Sequence, residues 1–146
     1  MSKSKIYILA IISSLIVCIL GGLIISFLWG FDIVIYLIST GMIILLVMPN
    51  VGLVYAPLKI FLFKDHYNFF HYIISAILMT ISITILGTYI IYYTRSPGEE
   101  VNYALTALTF FLPCLPFSIV GALLHRYMVV SLLKKEVINW SSISTY

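Results

Sequence analysis

The sequence predicts an all-α fold, a four-helix transmembrane bundle, and three observations carry that prediction. Of the 146 residues, 62% are hydrophobic and only 9% are charged, against roughly a quarter charged in a soluble domain. The apolar residues gather in four runs long enough to cross a bilayer core of about 30 Å, with short polar breaks between them. The lysines and arginines fall in those breaks and at the ends, not within the runs. One integral membrane domain over 1–146 follows, with no soluble core beside it. The net charge of +3 comes without a basic cluster on a soluble surface, so nucleic acid is not an expected partner.

The first span is read at 6–28, roughly 34 Å of helix. Its apolar stretch is too long for a signal-peptide core, and no small-x-small cleavage pattern follows, so it is expected to remain as a span. Ser14, Cys18, Gly22 and Ser26 recur at every fourth position. Such a stripe of small side chains lets a neighbouring helix approach closely, which matters in lipid because burying apolar surface no longer drives association. Trp29-Gly-Phe-Asp32 turns the chain, with Trp29 as an interfacial aromatic anchor and Asp32 as the cap of the next helix.

The second span is read at 33–55. Pro49 withholds a backbone donor near its end, which predicts a kink or loosened turn, and Asn50 is expected to bond a carbonyl there or to reach the interface. Pro57 opens a connection in which Leu58 to Phe63, bracketed by Lys59 and Lys64, is too short to span. It is expected to lie in the interface plane with both lysines snorkelling to lipid phosphates. Asp65-His66-Tyr67-Asn68 forms the polar turn before the third span, 69–92, where Ala76, Thr80, Thr84 and Thr88 make a second stripe at every fourth position. Its threonines can bond carbonyls one turn back, so they do not imply a polar pathway.

Ser96-Pro-Gly-Glu99 has the form of a capping box and predicts a helix start near Pro97, with the fourth span at 103–124. Pro113 and Pro116 lie three apart, on one face, and predict a bend or local unwinding. His125-Arg126 is read as the membrane exit, Arg126 as an interfacial anchor, and 125–146 as a juxtamembrane tail with a frayed end. Lys3, Lys5, Lys59, Lys64, Arg126, Lys134 and Lys135 share one side, and Arg95 stands alone on the other. That asymmetry predicts that both termini and the 57–71 connection are cytoplasmic.

The chemistry is sparse. No acidic or basic residue falls in the middle of a predicted span, whereas ion-coupled carriers and voltage sensors retain such groups despite their cost. His66, His71 and His125 are all expected at the interface as amphipathic anchors; the spacing of His66 and His71 does not put them on one helix face, and no metal-ligand pattern supports them. Cys18 and Cys114 lie within apolar runs and read as small packing residues. No serine sits in a nucleophile-elbow setting. No catalytic residue, metal site or cofactor is therefore assigned.

In size, span number, isoleucine-rich composition and the Tyr55-Ala-Pro57 exit from span two, the chain resembles small four-span membrane proteins of low-GC Gram-positive bacteria. Four-span bacteriocin immunity proteins look similar as well. The resemblance covers most of the chain at the level of architecture and implies no catalytic residue. The expected role is a non-enzymatic, multi-pass accessory or interaction protein of the cell membrane. Its expected partners are membrane lipid and a membrane protein or a second copy of itself. The rival readings are an oligomeric channel or carrier lined near Asn50 and Pro113/Pro116, and immunity against a membrane-active peptide.

Overall fold

The computed structural model describes residues 2–64, 67–95, 100 and 102–143, with side chains as far as 135. Helix α1 runs Lys3–Leu28, α2 Ile33–Asn50, α3 Phe69–Thr94 and α4 Tyr103–Ile143. Among the described residues, four helical segments are long and apolar enough to cross a membrane: Lys3–Leu28, Ile33–Leu62, Phe69–Thr94 and Tyr103–Lys135. The helices form an up-down-up-down ring. Helix α1 packs on α2 and α4, α3 packs most extensively on α4, and the far end of α2 closes the ring against α3.

Local chemistry sets the helix ends. The α1–α2 turn needs a left-handed backbone at Gly30 (φ 91°) and Phe31 (φ 52°). Glycine takes that conformation without cost; at Phe31 it is held by its N–H bonding the Ser26 carbonyl at 2.9 Å and by its ring against Phe27 at 5.0 Å. As expected, Asp32 caps α2, its Oδ1 accepting from the Val34 N–H at 2.7 Å. Asn68 does the same for α3 through the Phe70 N–H at 3.0 Å. Helix α4 is described from Tyr103, where Asn102 Oδ1 accepts from the Leu105 N–H at 3.1 Å. The predicted capping box at 96–99 lies outside the described residues, as do Asp65, His66 and 144–146.

The largest departure from expectation is after α2. The helix does not end near Tyr55, and Leu58 to Phe63 does not leave it to lie along an interface. It continues to Leu62 through two π-helical turns, Val51–Tyr55 and Leu58–Leu62. Pro49 and Pro57 each withhold an N–H from the α ladder. The wider spacing takes over around Pro57, with the Ala56 N–H reaching the Val51 carbonyl and the Phe63 N–H reaching the Leu58 carbonyl at 2.8 Å. Asn50 sits where the pattern changes. Its Nδ2 donates to the Leu46 carbonyl at 2.7 Å, and its Oδ1 accepts from Ser82 Oγ on α3 at 2.5 Å.

Helix α4 is continuous past Pro113 and Pro116, without the local unwinding that was one of the two outcomes expected there, and it carries on beyond His125 to Ile143. The shared core gathers Ala10, Val51, Tyr55, Ala56, Tyr72, Ala76, Met79, Ile83 and Ala122, and it lies toward the π-helical end of the ring.

Candidate functional site

All four helices meet at a buried group of Lys59, Tyr55, Tyr72 and His125. Lys59 and His125 are fully buried, and so is Tyr72. The π turns determine this. By carrying the chain on as a helix, they place Lys59 one turn beyond Tyr55 and turn both side chains inward. π-Helical turns recur at functional sites for this reason: one extra residue per turn re-aims the side chains that follow.

His125 is the hub. Its Nε2 lies 3.1 Å from the Ile6 carbonyl of α1, and its Nδ1 lies 2.9 Å from Tyr55 Oη. A carbonyl only accepts, so Nε2 carries the hydrogen. In the neutral ring Nδ1 is then the acceptor and Tyr55 the donor. Tyr72 of α3 meets the ring edge-on, 5.5 Å between centroids. Through one imidazole, α4 therefore touches each of the other three segments. On the other side of this group, Lys59 Nζ stands 3.6 Å from the Tyr72 ring centroid. At that distance the negative face of the ring supplies part of the stabilisation that water gives an exposed ammonium.

The depth of this group explains how the fold tolerates it. From Ile6 to Leu28, or from His125 back to Tyr103, is roughly 33 Å of helix, about one hydrocarbon thickness. Lys59 and His125 thus lie near one end of the apolar segments and inside protein. The expectation that Lys59 snorkels to lipid is corrected accordingly. Lys64 is exposed, and so is Trp29, 75% accessible in the α1–α2 turn. Arg126 points elsewhere, its Nε and Nη2 donating to the Tyr67 carbonyl at 3.2 and 2.7 Å, which ties α4 to the connection before α3.

The small-residue stripes fall as follows. Ser14, Cys18, Gly22 and Ser26 are all buried. A Cβ added to Gly22 would overlap the Thr40 side chain of α2, so the two backbones approach there as closely as glycine permits. In α3, Ala76 and Thr80 are buried, whereas Thr84 and Thr88 are half-buried. The α3 seam drifts to Met79, Ile83 and Gly87, where a Cβ on Gly87 would meet the Phe110 ring at 3.0 Å. Thr80 and Thr84 donate to carbonyls one turn back, Ala76 and Thr80, each at 2.9 Å.

His71 is remote from His125 in role: it stacks on Phe63 at 4.7 Å, and its Nε2 faces Asn68 Nδ2 at 3.4 Å. Among the described residues, no three His, Cys, Asp or Glu side chains gather as metal ligands.

Sequence reading located Lys59 and His125 but missed that they converge with Tyr55 and Tyr72. The available signal was the Tyr55/Lys59 spacing of four within an apolar run from Val51 to Phe63. Pro57 concealed it by reading as a helix end. Chemically the arrangement acts as a clasp, one imidazole bonding α1 and the second span at once. The Ile6 carbonyl receives a hydrogen bond from Nε2 but has no proton of its own to pass on.

The fold defines a helical membrane protein. No protein-family model matches the chain, and no curated protein and no solved structure matches it.

Proposed function

We propose that this is a multi-pass, non-enzymatic accessory protein of the cell membrane, with both termini cytoplasmic, that works by lateral contact with another membrane protein or a second copy of itself. The observation that supports it most is how little of α2 the fold uses. In the most apolar window of α1, 44% of residues are buried, against 11% in the second span and the same share in the fourth, so it is the open face around Gly41 that distinguishes α2. Within α2, Asn50 alone is buried. Leu37, Met42 and Leu45 face outward, and beyond its own helix backbone Gly41 has no atom within 4 Å of where its Cβ would be. A glycine in open space on an outward face lets a partner helix approach to backbone contact. The clasp at the π turns supports the same reading, because it fixes the far end of this span while its outer length stays free to engage.

The test is site-specific photo-crosslinking from Leu37 and Leu45 in intact membranes. The expected result is one discrete adduct, either a dimer of this chain or a single heterologous band, abolished by Gly41→Leu. Diffuse lipid adducts alone would overturn it.

A second reading, the channel or carrier, draws on the burial of Lys59 and His125, since ionisable side chains buried in spanning helices mark transport pathways. Their position near one end of the apolar segments, away from the middle, favours the accessory role. Gradient-driven flux in proteoliposomes that Lys59→Met abolishes would reverse that order.

A further inference from the structure

A cavity of about 190 Å³ lies in the middle of the ring, lined by all four helices. Its wall is built from side chains too short to fill it, among them Cys18 and Gly21 of α1 and Cys114, Ser118 and Gly121 of α4, with Met79 closing it from α3. Tyr55 stands at its base, with its hydroxyl already engaged by His125. The cavity is partly open and overwhelmingly apolar.

Three considerations identify an occupant. An apolar cavity of about 150 Å³ in a soluble core stays dry and takes up benzene or xenon. This one is larger and still offers water almost no partners. Its lining residues, from Ser14 to Ile25 and from Pro113 to Ala122, lie within the apolar segments. The medium at that depth is hydrocarbon chain, and a partly open cavity admits it. No lysine, arginine or histidine lines the wall, so nothing there recognises a headgroup. We propose that the cavity holds the end of an acyl chain of a membrane phospholipid, seated between α1 and α4 above the Tyr55–His125 clasp. The inference goes beyond the accessory role and does not depend on it.

The experiment uses the full chain in nanodiscs made with a phospholipid carrying a diazirine near the end of one acyl chain, followed by illumination and peptide mapping. The expected result is adducts on Cys18, Cys114 or Ser118 in addition to those on lipid-facing Ile19 and Ile85, which are 45% and 65% exposed. Gly121→Leu should remove the inward adducts and leave the outward ones. Should that variant fail to fold, Gly21→Ala serves: its Cβ would stand 3.6 Å from Phe117 and 3.7 Å from Ile43, an ordinary contact that narrows the cavity. Adducts on outward positions alone, or inward adducts unchanged in a folded filled variant, would overturn the proposal. So would labelling of the cavity by a free diazirine fatty acid but not by the phospholipid.

Discussion

At the scale of single residues, burial changes what substitutions should do. Tyr55→Phe removes the hydroxyl that faces His125 Nδ1 and leaves a buried nitrogen without its partner. An orphaned buried polar group costs about 1–3 kcal/mol, so the free energy of unfolding in detergent should fall by that amount, read as a lower unfolding temperature. On sequence grounds His125→Ala would cost only some interfacial anchoring. With the ring fully buried among three other segments, it should instead be among the most destabilising changes at this end of the bundle. Lys59 separates a structural role from a functional one. Replacing a buried charge by an apolar side chain of similar volume is often neutral or stabilising. Lys59→Met should therefore fold with an unchanged or raised unfolding temperature, whereas Lys59→Ala, which leaves a void, should lower it. If Lys59→Met unfolds the protein, the ammonium itself is holding the clasp together. None of this was legible from residue type, because a lysine two positions after a proline reads equally well as a headgroup anchor. Only the continuation of the helix decides between the two.

At the scale of the element, spacing was informative and boundaries were not. The every-fourth-residue stripe in α1 identified side chains that the structure buries, because helical periodicity alone dictates which residues share a face. In a helix of 3.6 residues per turn a spacing of four drifts around the axis; the α3 stripe leaves its seam after Thr80, whereas the α1 stripe stays buried through the same drift because α1 packs on both α2 and α4. The two stripes therefore make unequal predictions. Gly22→Leu should destabilise by the ~1–3 kcal/mol typical of overpacking, or more, since the collision with Thr40 involves its backbone as well as its side chain. Thr84→Leu, at a half-buried position beside the seam, should cost less. Gly87→Leu, against the Phe110 ring, should exceed Thr84→Leu. Ile19→Leu and Ile85→Leu, both facing outward, should be nearly silent in the same unfolding assay. The end of α2 was misread for a physical reason. Proline removes one N–H from the ladder without ending the helix, and here π turns on either side of Pro57 carry the chain onward, an alternative that sequence periodicity does not register.

At the scale of the whole molecule, the four-helix architecture follows from composition and run length, because only helices satisfy every backbone group across hydrocarbon without a closed sheet. Orientation rests on a different force. Seven of the eight cationic side chains fall at the end of the ring that carries Lys3, Lys64 and Arg126, and Arg95 alone falls at the other. The ring topology puts the α1–α2 turn and the chain entering α4 at that same second end, so two distant positions must report the same side. Cysteines placed at Gly30 and Glu100, with Cys18 and Cys114 replaced, should both react with an impermeant thiol reagent added to intact cells, and one at Lys64 should not. Burial of Lys59 removes one charge from the headgroup region but leaves the asymmetry large, since the remaining cations on that side still outnumber Arg95. Each basic residue near an anionic leaflet contributes about 1 kcal/mol. Lys64→Glu with Lys3→Glu should therefore loosen the orientation, while Lys59→Glu should act through the fold and lower the unfolding temperature without inverting the labelling. Labelling of Lys64→Cys from outside, with Gly30→Cys protected, would place the termini on the opposite side and remove the charge argument.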